Sequence, residues 1–179
     1  HTPTQYRTFI AEPATRRHYW ARSAVGWPVF DAATPNEGHR ALAALEDAGV
    51  VTGIITQNVD RLHQEAGSEH VVELHGALAE VRCLDCDALT SRRALQKRLT
   101  RLNPGWSERA AELAPDGDAD LPRSATRSFR VPECRSCGGV LKPHVVFFGE
   151  NTAPARVERA WGLLADADAL LRSEEHTSE

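Results

Sequence analysis

The four cysteines of this 179-residue chain form two Cys-x-x-Cys pairs, Cys83 with Cys86 and Cys134 with Cys137. A Cys-x-x-Cys turn directs two thiolates at one centre, and two such turns complete a tetrahedral four-thiolate site for Zn²⁺. Four protein ligands leave the metal no open position for a substrate, so we predict a structural zinc site. Because no cysteine is left over, the pattern favours a reducing compartment, and we expect a cytoplasmic protein.

Charge and hydropathy argue against two classes of partner. The formal net charge is −4, which is unfavourable for a protein that binds nucleic acid by neutralising phosphates. No apolar stretch approaches the roughly 20 residues needed to span a bilayer, and no signal peptide is visible. We therefore expect neither direct nucleic-acid binding nor membrane insertion, and the sequence leaves the oligomeric state open.

Helical and strand-like segments alternate along the chain, which is typical of an α/β fold with a parallel sheet. The first predicted element is a helical region over 5–25, which is interrupted at Pro13 and ended by Gly26-Trp27-Pro28. A second helix runs from an Asn36 cap to a Gly49 stop. A strand over 50–56, a helix over 59–66 and a strand over 71–74 follow. Further along, we predict a helix over 92–102, a strand over 145–148, a helix over 154–164 and the start of a last strand over 168–171.

A change in character between residues 81 and 141 predicts an insertion, because this part holds both cysteine pairs around an amphipathic helix and a polar stretch. The predicted fold is an α/β lobe built on a parallel sheet, with a small inserted four-cysteine zinc-binding lobe. Residues 1–80 and 142–171 form the first lobe and residues 81–141 the second. Residues 172–179 break abruptly from the apolar run before them, so we expect a non-native tail there.

Gln57, Asn58 and Asp60 follow directly after the predicted strand over 50–56. Ligands of open α/β sheets bind outside the carboxyl ends of the strands. Amide and carboxylate groups at such a point can hydrogen-bond a carboxamide and ribose hydroxyls. The alternative is that Asn58 only caps the next helix, with Asp60 in its first turn.

His75 lies between a predicted strand and a glycine, where its ring can face a cleft. A neutral imidazole can take a proton from a hydroxyl near neutral pH. A structural histidine is the alternative.

Several motifs in a fixed order resemble the sirtuins, the NAD-dependent protein-lysine deacylases. They are Thr-Gln-Asn-Val-Asp at 56–60, Leu-His-Gly at 74–76, the two cysteine pairs, Leu-Lys-Pro at 141–143 and Val-Val-Phe-Phe-Gly-Glu at 145–150. The resemblance runs from about residue 3 to Leu171 and looks closest to the class II branch, typified by mitochondrial lipoamidase-type sirtuins and their bacterial relatives. That branch is supported by Tyr-Trp-Ala-Arg at 19–22, Gly-Trp-Pro at 26–28 and Ala-Pro-Asp-Gly-Asp at 114–118.

The resemblance implies that the α/β lobe is a Rossmann-like, NAD-binding lobe, incomplete at both ends in this sequence. It also implies a deacylase that consumes NAD⁺ as co-substrate and acts on acyl-lysine proteins. Gln57, Asn58 and Asp60 would line the pocket for nicotinamide and its ribose, and His75 would be the general base acting on that ribose. The acyl oxygen would displace nicotinamide, and the final products would be free lysine and O-acyl-ADP-ribose. The substrate backbone would pair by strand addition with Val145, Val146, Phe147, Phe148 and Gly149. A plain core strand is the alternative for that segment, and the two are compatible.

Tyr19 and Arg22 resemble a Tyr-x-x-Arg pair that reads the distal carboxylate in sirtuins that remove acidic acyl groups. A guanidinium suits a carboxylate because it can bind both oxygens at once. The alternative is an ordinary pair on a helix surface in an arginine-rich chain.

Two other functions stay open from the sequence. The same site is compatible with a protein mono-ADP-ribosyltransferase, and the cysteine pairs are compatible with a non-catalytic zinc-ribbon binding module. Sirtuins also carry a Gly-Ala-Gly phosphate loop near the N-terminus and a Gly-Ser-Ser motif after the last strand, and this sequence has neither. We therefore expect an internal piece of a longer enzyme, with poor NAD binding and little turnover by itself.

Overall fold

The computed structural model describes residues 3–106, 108 and 121–173. Two predictions lie outside these residues: the motif at 114–118 and positions 174–179 of the expected tail. Among the described residues, no helix is both long and apolar enough to cross a membrane.

Two helices begin the chain and meet at a proline, as the sequence predicts. Helix α1 spans Tyr6–Ala11 and helix α2 spans Pro13–Asp31. Pro13 occupies the first turn of α2, where its missing N–H has no intrahelical partner to lose. The two helices pack against each other through aromatic side chains, and Phe9 of α1 is fully buried.

Helix α2 continues past Gly26-Trp27-Pro28, so the predicted end there is wrong. Pro28 lies inside the helix and lacks the N–H that would donate to the Ala24 carbonyl. The side-chain amide of Gln96 donates to that carbonyl instead, over 2.8 Å. Continuing the helix also buries Trp27, which is 7% exposed. A hydrogen bond from a distant part of the chain thus replaces the one that proline removes.

The parallel part of the fold consists of two strands and the helices that precede them. Helix α3 spans Glu37–Asp47, strand β1 Ile54–Thr56, helix α4 Leu62–Glu65 and strand β2 Val71–Glu73. β1 and β2 pair in parallel, with Ile54 opposite Val71. The Asn36 side chain caps α3 as predicted, accepting from the His39 N–H over 3.0 Å.

Strand β1 is shorter than the predicted strand over 50–56. Gly49 ends α3 in a left-handed conformation, with φ +72°. The N–H groups of Val50 and Val51 both donate to the Leu45 carbonyl, at 2.9 and 3.1 Å. These two residues therefore complete the helix terminus and cannot extend the strand.

The cysteine pairs belong to an antiparallel sheet with strand order β4-β3-β5. Strand β3 spans Gly76–Cys83, β4 Leu89–Ser91 and β5 Leu141–Val145, and helix α5 over Arg92–Leu102 follows β4. A 3₁₀ helix at Arg123–Thr126 packs against α2. The sheet extends beyond the predicted limits of 81–141 on both sides, and β3 changes register against β5 between Gly76 and Val81. Strands β3 and β4 were not predicted from the sequence.

Two predicted strands near the end of the chain are wrong in position or absent. β5 ends at Val145, where the predicted strand over 145–148 begins, and Phe148 makes only an isolated parallel bridge to Gln5. Helix α6, Pro154–Ala165, confirms the predicted helix over 154–164. Residues 168–171 form no strand, and Leu171 is 85% exposed. A strand needs a paired neighbour, and no described strand lies alongside these residues.

Aromatic rings join α1 and α2 to the segment that follows β5. The ring centroid of Phe147 lies 5.1 Å from Phe9 and 5.2 Å from Tyr19, both edge-on. Tyr19 also meets Trp20 edge-on at 5.1 Å. Edge-on aromatic pairs add about 0.5–1.5 kcal/mol each beyond their buried area. This cluster fixes residues 145–149 against the N-terminal helices.

A buried arginine joins α2 to α5. Arg92 is fully buried and lies 5.5 Å from the ring centroid of Trp20 and 4.7 Å from that of Trp27. Its Nη2 donates to the Ser23 carbonyl and hydroxyl, both over 3.1 Å, and its Nη1 donates to Gln96 over 2.7 Å. Two helices from different parts of the fold are therefore tied by one guanidinium.

Candidate active site and metal centre

The four cysteine sulfurs converge beside the antiparallel sheet. Cys83 Sγ lies 3.5 Å from Cys137 Sγ, Cys86 Sγ lies 3.8 Å from Cys134 Sγ, and all four lie within 4.8 Å of one another. A tetrahedral Zn²⁺ with Zn–S bonds of about 2.3 Å holds its sulfurs about 3.8 Å apart. The predicted cluster is confirmed, and its donor set and spacing fit Zn²⁺, which itself stays a prediction.

Hydrogen bonds in the cluster lower the pKa of one cysteine thiol and raise the pKa of another. The Ser136 N–H donates to Cys134 Sγ over 3.4 Å, and this bond to the thiolate lowers the pKa of Cys134 to about 6. A hydrogen bond between the sulfurs of Cys137 and Cys86 raises the pKa of Cys137 to about 12. Four thiolates in one cluster repel one another, and a divalent cation removes that repulsion.

The polar residues predicted at a strand end do share one edge of the parallel sheet. Thr56 pairs with Glu73, and both are the last residues of their strands. Gln57 and Asn58 therefore leave β1 at the same edge at which the chain from β2 reaches His75. Gln57 and Asn58 are exposed. This edge is where α/β folds bind ligands.

Asp60, and not Asn58, takes the role of a helix cap. The Asp60 carboxylate accepts the N–H of Leu62, the first residue of α4, over 2.9 Å. Arg61 between them adopts a left-handed backbone, with φ +64°. The Asn58 side chain makes no hydrogen bond to any described residue, and its backbone N–H donates to Thr56 Oγ1 over 3.0 Å. The capping alternative is thus wrong for Asn58, whereas Asp60 does cap.

His75 lies at the junction of the two sheets. Its carbonyl accepts from the Val146 N–H over 2.9 Å, and the next residue, Gly76, pairs with Val145 of β5. The imidazole is half-buried and has no hydrogen-bond partner in the part of the chain that the structure describes. Gly76 has φ +79°, and a Cβ there would overlap the His144 carbonyl oxygen. Glycine is required here, and it fixes the position of His75.

The predicted substrate segment, residues 145–149, is partly held by its own fold. Val146 N–H donates to His75, and the Phe148 carbonyl accepts from Tyr6 N–H over 2.9 Å. Phe148 is nevertheless 61% exposed, and its backbone pairs with Gln5 in an isolated parallel bridge. Gly149 follows with φ +77°. An exposed backbone segment therefore lies next to His75.

Lys142 and Glu150 hold that segment from behind, and neither was assigned a role from the sequence. Lys142 is 4% exposed. Its Nζ lies 2.8 Å from Glu150 Oε2 and also donates to the Val145 carbonyl. The same carboxylate oxygen accepts from Phe147 N–H over 2.9 Å. Burial lowers the pKa of Lys142. The signal in the sequence was a lysine inside an otherwise apolar strand.

A chain of charged groups runs behind His75, and it also went unpredicted. Arg61 pairs with Glu73 at 3.3 Å and with Glu80 at 2.8 Å. Glu80 accepts from His144 Nδ1 over 2.9 Å, and Arg156 Nη2 lies 3.1 Å from His144 Nε2. Burial alone raises the pKa of Glu80, but these hydrogen bonds outweigh burial and lower it. The loop after β1, both sheets and α6 are thereby linked.

Tyr19 and Arg22 are not on a helix surface, so that alternative is wrong. Tyr19 is 6% exposed and Arg22 is 2% exposed, one turn apart on α2. The Tyr19 ring contacts Phe147 of the predicted substrate segment. The pair is therefore buried beside that segment. That these two side chains bind the carboxylate of an acidic acyl group stays a prediction.

Comparison with known proteins identifies the family. The family model described as "Sir2 family" matches residues 3–173. This chain belongs to the Sir2 family. The predicted resemblance to sirtuins is thus confirmed, and so is the α/β fold.

Named relatives of this Sir2-family chain are deacetylases and deacylases. It is 56% identical over 171 residues to NAD-dependent protein deacetylase 1 of Streptomyces coelicolor, covering 96% of this chain and 57% of that protein. It is 44% identical to NAD-dependent protein deacylase Sirt4 of Drosophila melanogaster, covering 96% and 55%. The solved structure "Sir2 bound to acetylated peptide" matches with a TM-score of 0.68 and 30% identity, over 90% of this chain and 56% of that one. The chain thus spans less than two thirds of these relatives.

Proposed function

We propose that this chain carries the catalytic histidine and the substrate segment of an NAD-dependent protein-lysine deacylase. The observation that carries the proposal is the set of side chains at one edge of the parallel sheet. Gln57, Asn58 and His75 follow the strands at that edge, and none of the three side chains has a hydrogen-bond partner among the described residues. Polar groups that the fold leaves unsatisfied at a strand edge suit a polar ligand.

NAD⁺ fits these groups as co-substrate. The amides of Gln57 and Asn58 suit the nicotinamide carboxamide, and Asp60, one oxygen of which caps α4, suits ribose hydroxyls. NAD⁺ supplies the ribose carbon that accepts the acyl oxygen as nicotinamide leaves. His75 then takes the proton of a ribose hydroxyl, because an imidazole titrates near neutral pH. Water completes the transfer, giving free lysine and O-acyl-ADP-ribose.

The acyl-lysine substrate fits the exposed segment at residues 145–149. Its backbone would pair with residues 145–149 by strand addition, beside His75. Lys142 and Glu150 hold the segment rigid for this purpose. Tyr19 and Arg22, buried behind the segment, would face the far end of the acyl chain and favour acidic acyl groups.

Zinc would hold the antiparallel sheet in place and take no part in the reaction, because all four ligands are protein thiolates. Free thiolates survive in reducing surroundings. We therefore propose the cytoplasm as the working compartment.

The test measures NAD-dependent turnover of acetyl-, glutaryl- and lipoyl-lysine peptides by the zinc-loaded chain and by the complete reading frame that encodes it. His75→Ala should lower turnover by about 10²–10⁴-fold, the range for a general base. His70→Ala is the matched control, because His70 precedes the opposite end of β2. Equal turnover by parent and His75→Ala would refute the proposal. ³²P-labelled NAD identifies ADP-ribosyl transfer, since only that reaction leaves label on protein.

A further inference from the structure

A cavity of about 370 Å³ opens between the first turns of α2 and the 3₁₀ helix, away from the β1–β2 edge. Arg17 and His18 of α2 line one side, and Arg123 and Arg127 line the other. His18 Nδ1 lies 3.3 Å from Thr126 Oγ1, a contact that joins the two sides. Thr126 is 2% exposed, so the floor of the cavity is part of the packed structure.

Three arginines line this cavity, and the described residues place no carboxylate beside them. No carboxylate in the described part of the chain lies within 4.0 Å of Arg17, Arg123 or Arg127. At the other end of α2, by contrast, a guanidinium does pair with a carboxylate, as Arg93 does with Asp31 at 2.8 Å. The chain as a whole has a net charge of −4. Three like charges around one cavity repel one another, and an anion in the cavity would relieve that repulsion.

We propose that this cavity binds a phosphate monoester. Arginine presents a planar fork of N–H donors that matches phosphate geometry. A doubly charged phosphoryl group suits three guanidinium groups better than a single carboxylate does, and Ser124 adds a hydroxyl to the lining. The source is either a phosphorylated side chain of a protein substrate or a small phosphorylated metabolite, since both present the same group.

The test is isothermal titration calorimetry of the zinc-loaded chain with two probes. Phenyl phosphate represents a metabolite, and a phosphoserine peptide with its unphosphorylated twin represents a protein. At least one phosphorylated probe should bind, and the double variant Arg123→Gln/Arg127→Gln should weaken it by tenfold or more. Arg130→Gln is the matched control, because Arg130 is exposed on the same segment but lies outside the cavity lining. Arg17→Gln tests the opposite wall independently.

Three results would count against the phosphate site. Absence of binding by both probes, or equal weakening by Arg130→Gln, would overturn the proposal. Residues 116–120 contain three aspartates, so an Asp116→Asn/Asp118→Asn/Asp120→Asn variant is titrated as well. Binding seen only in that variant would assign the cavity to the chain's own aspartates and also overturn the proposal. The titration needs neither NAD nor turnover, so a failed deacylase assay leaves this result unaffected.

Discussion

Replacing Gly76 by alanine should destabilise this protein more than the same substitution at Gly49 or Gly162. The backbone at Gly76 has φ +79°, and a side chain in a left-handed conformation costs about 1–2 kcal/mol. The new Cβ would also overlap the His144 carbonyl oxygen. That oxygen belongs to β5, which is paired with β3, so it cannot retreat without breaking the sheet. Together these effects predict a loss of about 3–5 kcal/mol in unfolding free energy, the range of severe single mutations.

Two other glycines separate the contributions. Gly49 has φ +72° with no heavy atom within 4 Å of an added methyl group, so Gly49→Ala should cost only the conformational term, about 1–2 kcal/mol. Gly162 lies in α6 with open space around it, so Gly162→Ala should raise stability by about 0.5–1 kcal/mol through helix propensity. Urea unfolding followed by circular dichroism measures all three variants.

The order of these three values tests the steric contact directly. If Gly76→Ala and Gly49→Ala lose the same unfolding free energy, the contact with His144 carries no weight and the steric explanation is wrong. The displaced backbone also carries His75, so Gly76→Ala should lower deacylation beyond what its stability loss explains. That excess is measured at a temperature where the variant is fully folded.

Three further predictions concern charge and metal. A chelator that removes zinc should lower the melting temperature and release one equivalent of metal per chain, measured with a colorimetric zinc indicator; no release refutes the site. Lys142→Met leaves the Glu150 carboxylate, which is 22% exposed, without its cation, and should lower the unfolding free energy by about 2–4 kcal/mol. Lys142→Arg keeps a cation and should retain most of that free energy. Urea unfolding measures both variants. Burial by itself raises the pKa of Glu46, yet hydrogen bonds from His70 outweigh burial and lower it. The Glu46→Gln variant should therefore be less stable than the parent above the unfolded pKa of about 4.3. The difference from the parent should vanish as pH falls through the folded pKa, and a pH-independent difference contradicts this.

Sequence patterns predicted what depends on local residues and missed what depends on pairing. The cysteine spacing located the metal cluster, and Pro13 and Asn36 located helix starts, because these signals act within a few residues. Helix α2 ran past Pro28 because Gln96, far along the chain, supplies a donor to Ala24. No pattern within residues 5–28 contains that information.

The site divides in the same way. Gln57, Asn58 and His75 were predicted because strand ends can be read from sequence, and the parallel pairing brought those ends to one edge. Lys142 and Glu150 were missed, since a buried ion pair is visible only when both side chains are placed. The shift of β5 towards Leu141 has the same origin: the partner strand β3, not the local apolar run, decided which residues pair.

Strand β3 begins beside the proposed general base and ends in one of the four clustered cysteines. It runs eight residues from Gly76 to Cys83, a reach of roughly 25 Å. Between these ends lies the register change before Val81. Loss of strand pairing that starts at an empty cysteine cluster would propagate along β3. It would reach this irregularity first, because the hydrogen-bond ladder between β3 and β5 is already interrupted there. If Zn²⁺ occupies the cluster as proposed, its loss should loosen the Cys83 end of β3 before it disturbs the backbone of His75.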